Sequence, residues 1–553
     1  MKLTVILPDG KTFEKEYESP VTGEMVLKDL EEKPQYDILG CRLNNKNRRL
    51  TFPITEDGTL ELTDLRDPYA NMSYQASLTL LYLKAIHLVL GSEAKVTIAN
   101  SLSKGLFTRI HIAVIRNETA EAIENKMREL VEQNIMITED KFQREDALKL
   151  LKRLNMKTEA GLFETAEDLH SAYACSIDGD YNIFYVHTLP STGYLRLFNI
   201  RRYRNGMLLR FPHPSDPSVV PPYEEQRMLY ECFAEEAHWK SLMGVKYVAD
   251  LNQKVLDNDY KDLIMLSEAL HEKKIADIAG MIKENKKRII LIAGPSSSGK
   301  TTFAKRLCIQ LRVIGLRPLY LGTDDYFVNR DEMIPDENGN LDFEGLSAVD
   351  TFLFETQMND LLEGRKVDIP EFNFVTGEKE FGKHITSIDD SQPIVIEGIH
   401  GLNPKLTEDI SDDQKFKIYI SPLTQLHIDH HHRIPTTDAR LLRRLVRDHR
   451  TRGRSAAVTL HSWPSVRAGE EVNIFPYNSE ADVFFNSQCL YELAVLKKYA
   501  KPLLKEITQD QPEFAEAQRM LQFLKFFVSI EDDSVIANNS IVREFIGGSV
   551  LVG

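Results

Sequence analysis

The chain has 553 residues, 42% hydrophobic and 27% charged, which is too long for one core and fits neither a disordered nor a membrane class. A net charge of −15 argues against a protein whose main work is coating nucleic acid. The five cysteines (Cys41, Cys175, Cys232, Cys308, Cys489) are scattered as reduced thiols are, and the apolar run at 78–90 is broken by Lys84 and His87 and too short to span a bilayer. No signal-peptide pattern is read at Met1-Lys2-Leu3-Thr4-Val5, so a cytoplasmic, multidomain protein without membrane contact is expected.

Residues 1–65 read as a small β-rich module, with a turn at Pro8-Asp9-Gly10 and another at Asp57-Gly58. Residues 66–240 are mixed α+β. Ala120, Ile123, Met127, Leu130 and Val131 recur at helical spacing behind Asn117 and Thr119 as capping residues. A hairpin is predicted from runs at 194–203 and 207–211 around Asn205-Gly206. Its Arg196, Arg201, Arg202, Arg204 and Arg210, set among Tyr194, Phe198 and Tyr203, suit an accessory RNA contact through this N-terminal half. The plainer expectation puts the aromatics inward and the arginines in water. Residues 241–287 read as a helical connector, and 288–500 as a parallel α/β domain with strand-like runs at 289–293, 318–321, 394–396, 416–420 and 483–485. Residues 501–553 form a tail with one predicted helix at 514–527 and no assigned role.

The α/β domain opens on an Ile-rich strand running into Gly294-Pro295-Ser296-Ser297-Ser298-Gly299-Lys300-Thr301-Thr302, followed by Phe303, Leu307 and Leu311 at helical spacing. Strand, phosphate loop and helix are the reading. Two glycines let backbone N–H groups curl round an anion at a helix N-terminus. Lys300 would reach the β- and γ-phosphates of ATP or GTP, and Thr301 would bind Mg²⁺.

Three further features decide the chemistry. Asp324, in Gly322-Thr323-Asp324-Asp325-Tyr326, stands at a strand's carboxyl end as a candidate base for an attacking hydroxyl. Glu397, after Ile394-Val395-Ile396, suits the metal shell beside Thr301 better than His400 or Asp389. Arg440, Arg443, Arg444 and Arg447 share one helical face opposite Leu441, Leu442, Leu445 and Val446, and with Arg450, Arg452 and Arg454 they predict a lid that closes over ATP. The run His430-His431-His432, near His427 and Asp429, is expected to be a solvated loop, because adjacent side chains cannot converge on one ion.

These motifs, with Asn340-Leu341-Asp342, Ile369-Pro370-Glu371-Phe372-Asn373-Phe374 and Thr437-Asp438-Ala439-Arg440, resemble the uridine kinase / phosphoribulokinase family over about 289–490. The resemblance implies Asp324 as catalytic carboxylate, Lys300, Arg447 and Arg452 at the transferring phosphoryl group, and Arg454 at ATP. It also implies that Asp342 and Arg440 hold ribose hydroxyls and that Phe372 and Phe374 line a base pocket. Leu7-Pro8-Asp9-Gly10-Lys11 and Gly40-Cys41-Arg42-Leu43-Asn44 resemble the TGS β-grasp domain, and the order of parts in 66–240 resembles the second additional domain of threonyl-tRNA synthetase. The editing histidine pair of that domain is missing, since the helix at 77–90 holds only His87 and Cys175 has no histidine four residues on.

The expected activity is an ATP- and Mg²⁺-dependent nucleoside kinase acting on a 5′-hydroxyl, with a homo-oligomer allowed. Gly377 stands where a pyrimidine-reading histidine is usual, and Phe327 and Phe372 replace tyrosines, so a non-nucleoside alcohol or sugar phosphate stays open as acceptor. A translation-linked RNA-binding NTPase is the alternative from another class. Its guanine-switch form is weak, because the Asn-Lys pairs at Asn45, Asn125 and Asn285 are each followed at the fourth position by Arg.

Overall fold

The computed structural model describes residues 1–111, 114–333, 344–424 and 426–552. The front of the chain builds a five-stranded mixed sheet in the order Thr12–Glu16, Lys2–Ile6, Gly58–Asp64, Ile38–Leu43, Lys46–Arg48. Its first strand is parallel to the last and antiparallel to the second, the arrangement of a β-grasp sheet. A long helix, Pro68–Leu90, follows, started by the Asp67 carboxylate, which accepts from Tyr69 and Ala70 N–H. Two antiparallel sheets pack around it, one of four strands and one of three.

The predicted amphipathic helix is Asn117–Glu132, with Ala120, Ile123, Met127 and Leu130 buried. The predicted hairpin is Asn199–Tyr203 against Gly206–Arg210, so its loop is Arg204-Asn205 and Gly206 already belongs to a strand. A Cβ at Gly206 would lie 2.3 Å from the Thr108 carbonyl, which is why glycine stands there. Phe198 and Tyr203 are buried and Arg201 and Arg202 exposed, whereas Arg210 is buried and bound to the Pro221 carbonyl. Water therefore meets only part of the arginine set.

The second half carries a five-stranded, all-parallel sheet ordered Leu319–Gly322, Ile394–Glu397, Ile289–Ala293, Lys415–Ser421, Val483–Asn486. Alternate residues of the central strand feed opposite layers. Ile289 and Leu291 pack with Phe354 and Met358 on one face, while Ile290 and Ile292 pack with Phe303, Leu307 and Ile278 on the other. Burial on both faces explains a continuous apolar strand, each isoleucine contributing about 1.5–3 kcal/mol. The helix Tyr260–Glu284, from the expected connector, is part of that second layer through Ile275, Ile278, Ala279 and Ile282.

Apolar cores cross the divisions expected at 240, 287 and 500. The largest gathers Leu150 and Phe163, Val248 and Leu263, Leu442 and Trp463, and Phe523 and Phe527 into one buried cluster. The tail is interior material. Its helices are Phe514–Leu524 and Ile541–Ile546, and the second of these has Ile541, Val542 and Phe545 fully buried. No helix among the described residues is long and apolar enough to cross a membrane.

Candidate active site at the phosphate loop

Three neighbouring strands deliver the site to one end of the sheet. Ile292 and Gly322 both pair in register with Glu397, so the strand ends leading to the phosphate loop, to Asp324 and to Glu397 lie side by side. Close approach is enforced by glycine. A Cβ on Gly398 would fall 1.8 Å from Thr323 Oγ1, and one on Gly294 would fall 2.0 Å from the Ile420 carbonyl. Gly299 caps the helix Lys300–Val313 with φ +86°, a left-handed conformation that L side chains rarely adopt.

Within the loop, the Lys300 ammonium donates to the Gly294 and Pro295 carbonyls at 3.0 and 3.3 Å. Thr301 Oγ1 donates to Glu397 Oε1 at 2.8 Å, and the Tyr320 hydroxyl donates to the same oxygen at 3.2 Å. Burial pushes the Glu397 pKa up, against Lys300, with Asp324 adding to the rise. Asp324 opens on the cleft, yet the protein enclosing that cleft also raises its pKa; Lys300 and Arg452 oppose the rise, and Asp325 and Glu344 add to it. A cation is thus ringed by carboxylates that are each costly to ionise. Ser297 and Ser298 have buried hydroxyls with no partner among the described residues, so the cradle has donors to offer a phosphate. That orphaned pair, the glycine-tight loop and the Thr301–Glu397 contact fit a nucleoside triphosphate with Mg²⁺.

The arginine helix, Thr436–Arg452, divides its guanidiniums by depth. Arg440 is almost fully buried, donates from Nε to the Ser296 carbonyl at 2.9 Å and pairs with Glu470. Glu470 in turn accepts the Ser296 N–H at 3.0 Å. Arg443 pairs with Glu492, both side chains at 0% exposure, and reaches the Ser297 carbonyl at 3.2 Å. Arg444 Nη1 donates to Ser296 Oγ at 2.9 Å. These arginines clamp the loop itself. The ribose role expected of Arg440 is corrected accordingly, because its guanidinium is committed to Ser296 and Glu470 behind the loop.

Toward its end the helix is more exposed. Arg447 and Arg452 gather on the fully buried Asp448 at 2.7 and 3.6 Å, and Arg454 is exposed beside them. Burial, then Arg447, lowers the Arg452 pKa, while Asp448 and Asp324 oppose that shift.

On the acceptor side, Phe327, Phe372 and Phe374 form an aromatic cluster with centroids 5.2–6.3 Å apart. Phe372 is buried and Phe374 exposed. Gly377 has φ +80°, and a Cβ there would lie 2.8 Å from Arg330 Cβ; the exposed Arg330 occupies that space and donates to the Phe374 carbonyl at 2.9 Å. Asp342 lies outside the described residues.

Sequence reasoning missed the tail's part. Glu544, 242 residues on, accepts from Thr302 Oγ1 at 2.6 Å and from Thr302 N–H at 3.3 Å, so the last residue of the expected nucleotide-binding run already holds a carboxylate. Arg450 fixes that element through the Glu544 and Phe545 carbonyls.

The histidine run is also corrected. It is a folded joint between the two halves. Asp429, fully buried, accepts from the His431 and His432 N–H groups, from His432 Nδ1 at 2.7 Å and from the Tyr185 hydroxyl at 3.0 Å. His431 bonds Asn182, and His430 bonds Glu159. The partners are remote in sequence, so spacing could not reveal them. Asp429 itself, three residues before His432, was the local sign of a turn.

Residues 289–493 match the model of the Phosphoribulokinase / Uridine kinase family. A uridine kinase of Ligilactobacillus salivarius is 28% identical over 183 residues, 33% of this chain and 76% of that one. A uridine kinase of Staphylococcus aureus is 29% identical over 197 residues, 35% of this chain and 85% of that one. A threonine–tRNA ligase of Thermotoga petrophila is 29% identical over 205 residues, 36% of this chain but only 30% of the ligase. That last likeness answers to the synthetase-like front part.

Proposed function

We propose that the protein is an ATP- and Mg²⁺-dependent kinase that phosphorylates the 5′-hydroxyl of a nucleoside, a reading supported by the match of residues 289–493 to the phosphoribulokinase / uridine kinase family model. The observation that carries this reading is the Thr301–Glu397 hydrogen bond beside Lys300, with Asp324 at the adjoining strand end.

Phosphoryl transfer leaves little covalent work to a protein, so positioning and charge are what the residues supply. Asp324 accepts the proton of the attacking hydroxyl. Its pKa is raised by burial, against Lys300, which makes it a stronger base than a free carboxylate. Lys300, Arg447 and Arg452 face the transferring group, and the clamped loop holds its N–H groups in place beforehand. Mg²⁺ bound at Thr301 and Glu397 would neutralise charge on the phosphate oxygens. Phe372 and Phe374 offer a ring surface to a base.

A second reading follows from Arg330. A guanidinium at the rim of the aromatic cluster suits an anionic acceptor such as a sugar phosphate. Turnover of ATP against a panel of nucleosides, pentoses and sugar phosphates separates the two. Transfer to nucleosides, abolished in Asp324→Asn, supports the first reading; transfer only to phosphorylated sugars supports the second; no turnover with any acceptor sinks both.

A further inference from the structure

A cavity of 1010 Å³ lies away from the phosphate loop, where the front sheets meet the arginine helix, the helix Ala456–Asn473 and the tail. Its volume matches a small-molecule site. Tyr173, Tyr185, Trp463 and Phe526 present rings on its wall.

The wall also holds an unbalanced charge. Arg433 is half-buried, and its guanidinium has no hydrogen-bond or ion-pair partner among the described residues. Burial draws its pKa down to about 10, with Asp438 opposing. Asp438 is engaged elsewhere, since Arg519 takes both its oxygens at 2.7 and 2.9 Å and takes Glu516 at 2.7 Å as well. A half-buried cation without its own anion is costly unless something supplies one.

Two wall residues stand one contact from the phosphate loop. The Arg440 guanidinium lies 5.2 Å from the Trp463 ring centroid, and Arg440 holds the Ser296 carbonyl. Arg467 binds Glu470 at 2.7 Å, and Glu470 holds the Ser296 N–H.

We propose that this cavity is a second binding site, for a ring-bearing organic anion of mononucleotide size, and that its occupancy is transmitted through Trp463–Arg440 and Arg467–Glu470 to the phosphate loop. The binding half stands independently of the kinase reading, whereas the coupling half rests on it.

The test is calorimetric titration of the full chain with nucleoside monophosphates, free nucleosides and inorganic phosphate, using wild type, Arg433→Met and Lys300→Met. A site weakened at least tenfold in Arg433→Met and retained in Lys300→Met is the expected result, with monophosphates binding better than either fragment. Should Arg433→Met fail to fold, Ala468→Trp fills the same cavity from an exposed position on the wall and carries the same expectation. Loss of all binding in Lys300→Met would overturn the site, as would unchanged binding in Arg433→Met or in Ala468→Trp. A short single-stranded RNA that binds there while mononucleotides do not would overturn the ligand class. Coupling predicts a several-fold change in affinity for a non-hydrolysable ATP analogue when monophosphate is present, absent in Arg433→Met. Monophosphate binding with no such change removes the coupling and leaves the site.

Discussion

Replacing Arg443 by methionine tests whether the phosphate loop is held from behind by a buried ion pair. Both Arg443 and Glu492 are at 0% exposure, and the guanidinium also serves the Ser297 carbonyl at 3.2 Å, the Ser487 carbonyl at 2.9 Å and the Ser487 hydroxyl at 3.2 Å. Arg443→Met leaves the Glu492 carboxylate without its cation and three oxygens without a donor. Stranding one buried partner costs about 3–5 kcal/mol, and each lost backbone acceptor adds roughly 0.5–1.5 kcal/mol. Glu492→Gln keeps the shape and leaves Arg443 its carbonyl partners, so about 1–3 kcal/mol is expected there. In the double variant no unpaired charge remains, and the two costs do not add. Denaturant unfolding of the four proteins yields the coupling, expected at about 2–3 kcal/mol. ATP-analogue affinity should fall in Arg443→Met more than in Glu492→Gln, because only the former frees Ser297. Additivity within roughly 0.5 kcal/mol, or unchanged nucleotide affinity in Arg443→Met, would refute the reasoning.

Other substitutions probe the same end of the sheet. Glu544→Gln removes a carboxylate from the N-terminal turn of the Lys300–Val313 helix; KM for ATP should drop several-fold and stability fall by about 0.5–1 kcal/mol, and a stability loss without a KM change would make Glu544 purely structural. Asp324→Asn should lower kcat by about 10²–10⁴ yet raise Tm near neutral pH. The sign follows from burial: a carboxyl whose folded pKa lies above its unfolded one favours folding when protonated, and that advantage fades as pH rises from the unfolded value through the folded one. A Tm profile from pH 4 to 8 that is identical in variant and wild type would contradict the raised pKa. Gly398→Ala must push aside Thr323, whose Oγ1 and Cβ would lie 1.8 and 2.8 Å from the new methyl, so kcat/KM should fall by about 10² through displacement of Asp324 from Glu397; near wild-type turnover would mean the strand ends yield freely.

What could be read from the chain was what neighbours in the chain decide. The phosphate loop is contiguous, its strand and helix adjoin it, and the glycines declare backbone approach, so the gathering of Lys300, Thr301, Asp324 and Glu397 at one end of the sheet was legible. The alternation of apolar runs likewise declared a parallel sheet. Helical periodicity showed that Arg440, Arg443, Arg444 and Arg447 share a face, but periodicity says nothing about what that face meets. Glu470, Glu492 and Glu544 lie 30 to 242 residues from their partners, and no local pattern marks them. The same blindness turned the histidine joint into an expected solvated loop, since Asn182 and Glu159 sit 249 and 271 residues away.

The depth of each guanidinium therefore separates two kinds of work that sequence had merged into one lid. Arg440 and Arg443 sit with carboxylates in a low-dielectric interior, where rearrangement during turnover would strand charges at several kcal/mol each, so they can hold the loop but cannot swing. Arg447 and Arg452 share the single carboxylate of Asp448 with Arg444, and the exposed Arg454 has no ion pair among the described residues, so one anion cannot neutralise them all. The surplus of positive charge at the helix end is felt at Asp324 through Arg452, and Arg444 would stay on Asp448 if the outer guanidiniums turned to a phosphoryl group, so the buried carboxylate would not be left bare. Preorganisation thus resides in the buried arginines and responsiveness in the exposed ones, on one helix whose leucines anchor both.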